Sequence, residues 1–115
     1  MDEKVKEYIS KYPPEIIDLY GKLRALLYES VSERPEEKLW AKLPSYYVED
    51  AFVRLIPFKD HINIQACGAE WQGDEWQDYK KTPKGMLQIF VGQAIPCDGL
   101  KRIFREAYNL QEGLR

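Results

Sequence analysis

Apolar residues recur along the first third of the chain at helical intervals and then switch to strict alternation. Val5, Tyr8, Ile9 and Tyr12 predict a short amphipathic helix over 3–12. Pro13-Pro14-Glu15 interrupts it and starts the next, because proline lacks the N–H that a first helical turn leaves unused and glutamate answers the positive end of the helix dipole. Ile16, Leu19, Tyr20, Leu23, Leu26, Leu27 and Val31 then form one stripe opposite Glu15, Asp18, Lys22 and Glu29, which predicts a long helix over 14–32.

Beyond Arg34-Pro35 the period becomes two. Leu39, Ala41 and Leu43 point one way, Trp40 and Lys42 the other, and Pro44-Ser45 reads as a turn. Ala51, Val53 and Leu55 alternate with Phe52, Arg54 and Ile56. Ile62, Ile64 and Ala66 alternate with His61, Asn63 and Gln65. Gly85, Leu87, Ile89 and Val91 alternate with Lys84, Met86, Gln88 and Phe90. Four strands are expected, with 46–48 starting or forming another, and the short connections favour an antiparallel meander. A last helix over 97–109 carries Leu100, Ile103, Phe104, Ala107 and Tyr108 on one stripe, with Asp98 as N-cap and a frayed tail from Asn109. The expected fold class is α+β: an antiparallel β-sheet with N-terminal and C-terminal helices packed on one face, all within one domain spanning 1–115.

The helices leave the other sheet face over. Alternation assigns to it Trp40, Lys42, Phe52, Arg54, Ile56, His61, Asn63, Gln65, Met86, Gln88 and Phe90, with Lys84 at a strand start beside it. A plain solvent face would be mostly charged and threonine-rich. Large aromatics mixed with Lys, Arg and His instead mark an interaction surface. The segment 68–83, with Trp71, Trp76 and Tyr79, is expected to fold partly over this face and turn it into a pocket.

Composition narrows the function. Apolar residues make up 44% of the 115 positions and the net charge is −2, so the chain has material for one core and no cationic cluster of the kind that phosphate backbones attract. No nucleic-acid partner and no membrane span are expected. The charged start Met1-Asp2-Glu3-Lys4 opens no signal peptide, which makes the cytoplasm the expected location. Cys67 and Cys97 are too far apart in sequence for a redox pair or metal knuckle and read as buried thiols. His61, the only histidine, has no serine or cysteine placed to make a triad with it. No catalytic set emerges, and a non-enzymatic role is expected. Glu70, Asp74 and Asp78 recur every four residues and would form a carboxylate row on a helix, a hard-ligand arrangement; a solvated acidic edge is the plainer reading.

Several motifs occur together in order: Tyr8-Ile9, Pro13-Pro14-Glu15, Leu43-Pro44-Ser45-Tyr46, Phe58-Lys59-Asp60-His61-Ile62, Tyr79, Thr82-Pro83-Lys84-Gly85 and Ile95-Pro96. In this the chain resembles the YdhG-like family of small bacterial domains of unknown function. The resemblance implies a helix, antiparallel sheet, helix arrangement close to that of frataxins. It further implies an iron-chaperone role, delivering iron to an iron–sulfur cluster or haem assembly protein. The acidic ridge that frataxins use would correspond here to Glu7, Glu15 and Asp18, with Asp2 and Glu3 nearby. Lys4, Lys6, Lys11 and Lys22 interrupt that ridge, so iron binding is expected to be weak and superficial. The alternative is a small-ligand or protein-partner module that uses the aromatic, basic sheet face and no metal.

Overall fold

The structure, a computed structural model, describes residues 1–113 and the side chains as far as Asn109. Helix α1 (Glu3–Ser10) begins at Asp2, whose carboxylate accepts from the Lys4 and Val5 amides at 3.1 Å each. This cap satisfies two donors that a helix start leaves without partners. Helix α2 (Pro14–Ser30) follows with Pro13 as the extended N-cap and Glu15 in the first turn. It buries Ile16, Leu19, Tyr20, Leu23, Leu26 and Leu27, the expected stripe, and ends two residues early because Val31 is already extended.

Six strands form one antiparallel sheet: β1 (Glu36–Trp40), β2 (Leu43–Val48), β3 (Ala51–Pro57), β4 (His61–Ala66), β5 (Lys80–Lys81) and β6 (Leu87–Phe90), in the order β1-β2-β3-β4-β6-β5. The turn expected at Pro44-Ser45 lies instead at Ala41 and Lys42, both left-handed with φ of 49° and 67°, as a two-residue hairpin requires. Pro44 and Ser45 pair within β2, opposite Leu39 and Lys38. The proline is tolerated because the β2–β3 ladder begins only at Ser45, so the missing N–H faces no partner strand. A tight hairpin also makes the flanking residues Trp40 and Leu43 direct neighbours on one face. Leu43 therefore joins the side opposite the helices rather than the core side, and Ala41 and Lys42 leave the alternation altogether. Residues 46–48 belong to β2, and the two-residue β5 was not foreseen.

Val53, Leu55, Ile62, Ile64, Leu87 and Ile89 are fully buried in the core that α2 and α3 (Cys97–Gly113) cover from one side of the sheet. The two helices also pack against each other and against β3 and β4. Helix α3 begins at Cys97, which puts Asp98 inside its first turn rather than at the cap, and it continues past Asn109 to Gly113; the remainder of the tail expected to fray, 114–115, lies outside the described residues. Trp71 and Trp76 join this same core, edge to face with centroids 5.0 Å apart. Trp76 lies over Gly99 so closely that a Cβ there would meet its ring at 2.9 Å. The segment 68–83 thus closes the helix side of the sheet and does not fold over the opposite face. The thiols are not both buried: Cys67 is half-buried and Cys97 exposed.

One polar network is built into the helix side. Glu37 on β1 accepts from Arg24 Nε at 2.6 Å, the Asp2 amide at 2.5 Å and the Tyr46 hydroxyl at 2.8 Å, and that hydroxyl lies 2.5 Å from Tyr20 Oη. Burial works to raise the Glu37 pKa, but these donors outweigh it and hold the carboxyl below its ordinary range. The network ties the chain start, α2, β1 and β2 into one unit.

Candidate binding face

Direct pairing across strands fixes which residues share the face opposite the helices. Lys38, Ser45, Arg54 and Gln65 form one row over β1, β2, β3 and β4; Glu36, Tyr47 and Phe52 flank it on one side, and Leu43 and Trp40 on the other. A second row joins Ile56, Asn63, Gln88 and Lys80, whose Nζ lies 5.4 Å from the Phe90 centroid, and a third pairs His61 with Phe90. The expected face residues Trp40, Phe52, Arg54, Ile56, His61, Asn63, Gln65, Gln88 and Phe90 are therefore brought together. Lys42 sits exposed at the hairpin tip, and Lys84 is exposed in the turn after β5, where Gly85 takes φ of 86°. Met86 closes that turn, its amide donating to Thr82 Oγ1 at 3.1 Å.

The centre of the face is Arg54. It is 6% exposed, although the face carries no covering element from 68–83. Its neighbours bury it. The guanidinium carbon lies 3.9 Å from the Phe52 ring centroid, 4.4 Å from that of Trp40 and 5.8 Å from that of Tyr47. In the register Phe52 stands on one side of Arg54 and Trp40 on the other. Its hydrogen bonds all go to neutral acceptors: Nε to Ser45 Oγ at 3.1 Å, Nη1 to Gln65 Oε1 at 3.2 Å and Nη2 to Tyr47 Oη at 2.6 Å. A guanidinium has five N–H donors, so these three bonds leave two N–H groups over. Among the described residues Arg54 has no carboxylate partner.

Burying an unpaired charge is unfavourable by several kcal/mol even after relaxation. The aromatic faces offset part of this, at about 0.5–2 kcal/mol per contact. Arg24 gives the contrast within the same molecule. It is 19% exposed and holds a near-buried carboxylate, Glu37, through two donors. One buried-side arginine has its anion and the other does not.

A second cluster lies beyond Ile56. The His61 ring stacks between Phe58 and Phe90, with centroids 4.7 Å away on each side. Its Nδ1 meets Asp60 Oδ1 at 2.7 Å, and this contact holds the exposed Asp60 carboxyl below its ordinary pKa. Gln88 bridges from His61 Nε2 at 3.4 Å to Asn63 Oδ1 at 3.2 Å. No hydroxyl or thiol is bonded to His61 among the described residues.

The acidic candidates are dispersed. Glu7 is on α1, Glu15 and Asp18 are exposed on α2, and Asp18 pairs with Lys22 at 3.1 Å. Glu15 and Asp18 do line one groove together with Leu19, Val91, Ile95 and Cys97. Glu70, Asp74 and Asp78 do not form the row that helical spacing would give, because the segment is a loop with one 3-10 turn, Asp74–Trp76, entered through Gly73 at φ 104°. Among the described residues no group of three or more His, Cys, Asp and Glu side chains is gathered where it could hold a metal ion. No helix among them is long and apolar enough to cross a membrane.

Sequence reading missed Ser45 and Tyr47, which supply two of the three acceptors around Arg54. The signal was present, since Leu43, Ser45 and Tyr47 alternate with Pro44, Tyr46 and Val48; the Pro-Ser pair read as a turn concealed it.

Fold and face together define a class: an α+β domain with helices on one side of an antiparallel sheet and an aromatic, cation-centred patch on the other. Comparison with models of known protein families, with curated proteins and with solved structures found no match.

Proposed function

We propose that this protein is a non-catalytic binding module whose ligand seats on the open sheet face over Arg54. The observation that carries this reading is a guanidinium 6% exposed, placed among Trp40, Phe52 and Tyr47, with no carboxylate beside it. A fold serving stability only would be better off with an apolar residue there. Convergent polar groups among aromatic walls are the usual make-up of a ligand site. Trp40, 50% exposed beside the hairpin turn, supplies an apolar surface for the ligand to cover.

The test is a fragment screen read from amide chemical shifts of the labelled protein. Hits should gather on residues 40, 45, 47, 52, 54 and 65. Hits gathered elsewhere, or none from a diverse collection, overturn the reading.

The iron-delivery role implied by the YdhG-like resemblance is a second reading. It draws support from the shared helix–sheet–helix layout and from Glu15 and Asp18 lining one groove. Titration with Fe(II) under reducing conditions tests it: selective broadening at 15 and 18 that survives physiological salt favours it, and uniform weak broadening of all acidic surfaces counts against it.

A further inference from the structure

Resting on the reading just given, we infer that the ligand of the open face is a small carboxylic acid borne on a flat, apolar body, an aryl carboxylate in chemical class. Arg54 carries the recognition. Its side chain is pinned by Ser45, Gln65 and Tyr47, so the position of the guanidinium is set before any ligand arrives. Two N–H groups remain, one on each Nη nitrogen, since Nη1 and Nη2 each donate once. Paired donors in a fixed plane match the two oxygens of a carboxylate.

The aromatic neighbours select among anions. Phe52 and Trp40 stand on either side of the guanidinium, at 3.9 and 4.4 Å from its carbon. A carboxylate is planar and lies in the plane of the fork, clear of both rings. The tetrahedral oxygens of a phosphate or sulfate project out of that plane toward them. The same rings reject a hydrated inorganic anion and favour one that brings its own flat apolar surface against the exposed indole of Trp40. The charge of the face agrees. Its rows carry three cations, Arg54, Lys38 and Lys80, against the one carboxylate of Glu36, which Lys38 meets at 3.3 Å, on a chain whose net charge is −2. The small exposure of Arg54 argues for a compact acid that reaches into the cage rather than for a peptide lying across the strands.

The probe is indole-3-acetate, with indole-3-acetamide and phenyl phosphate as controls, titrated into the labelled full chain. Indole-3-acetate should shift the amides of 40, 52 and 54 and bind at least about tenfold more tightly than either control. Arg54→Met should abolish that preference while the spectrum stays dispersed, and Arg54→Lys, which keeps the charge and loses the fork, should weaken the acid at least about tenfold. If Arg54→Met does not fold, Arg54→Lys and Trp40→Ala carry the test. Equal binding of acid and amide, tighter binding of the phosphate, or an acid indifferent to Arg54→Lys overturns the inference. Fragment hits on this face without carboxylate preference would sink the ligand class and leave the site standing; an untouched face would sink both. A peptide that binds where the free acid does not also overturns it.

Discussion

Replacing Arg54 by methionine should leave the free protein about as stable as before, although the residue is buried at the middle of the sheet. Methionine keeps the unbranched stem between Phe52 and Trp40 and removes the charge. What is lost is two close cation–π contacts, about 0.5–2 kcal/mol each, and three hydrogen bonds worth roughly 0.5–1.5 kcal/mol net apiece. Ser45 Oγ retains its bond to the Leu43 carbonyl at 3.0 Å, and the half-buried Tyr47 and Gln65 can turn to water. What is relieved is the burial of a cation without an anion, several kcal/mol in the opposite sense. The expected difference is within about 1 kcal/mol of zero. Arg24→Met is the matched comparison. It strands Glu37, whose side chain is 6% exposed, and should cost about 2–4 kcal/mol, somewhat less than a fully buried pair because Arg24 is partly solvated. Urea unfolding at pH 7 measures both, read as a change of midpoint at constant slope. A loss beyond about 3 kcal/mol for Arg54→Met would show that the aromatic cage exists to anchor the fold, and the case for a ligand would fall with it.

Glu37→Gln should destabilise by about 1–3 kcal/mol at pH 7, and the gap to the parent should close in acid. The sign follows from a carboxyl pKa lowered in the fold: its stabilisation is complete above the unfolded value near 4.5 and disappears as the pH falls through the folded one, so urea melts from pH 7 to 3 should converge. Gly99→Ala should cost about 1–3 kcal/mol despite the better helix propensity of alanine, because its Cβ meets the buried Trp76 ring at 2.9 Å; thermal melts suffice to read it. Asp2→Ala removes the cap that accepts from Lys4 and Val5 and should cost about 1 kcal/mol in the same assay.

How far the sequence reveals this molecule depends on how local the deciding interactions are. The stripe of α2 was legible because burial there follows a period of 3.6 over seventeen residues. The β1–β2 turn was not, since Ala41-Lys42 offers neither the glycine nor the asparagine that left-handed turns favour, while Pro44-Ser45 two residues on imitates one. The tryptophans of 68–83 were legible as a hydrophobic mass but not by destination. What sends Trp76 to the helix side includes the missing Cβ of Gly99, in another element altogether. On the open face, alternation placed nine residues together as the register does, yet it could not show that Arg54 is buried. That depends on Trp40 reaching over from β1, across β2, and so on a register set by the turn that was misread.

The two arginines set into the sheet faces are treated differently, and composition does not explain the difference. The chain has 19 acidic residues against 17 basic ones, so a carboxylate beside Arg54 would have been easy to supply. On the helix side one was supplied: Glu37 meets Arg24 and is held by an amide and a tyrosine as well. On the open side the residues within reach are serine, glutamine and tyrosine, which fix the position of a cation without neutralising it. An internal carboxylate at that point would quench the charge and fill the fork. Neutral acceptors hold the fork in place and keep its charge available, which is what recognition of an external anion requires and what stability by itself does not.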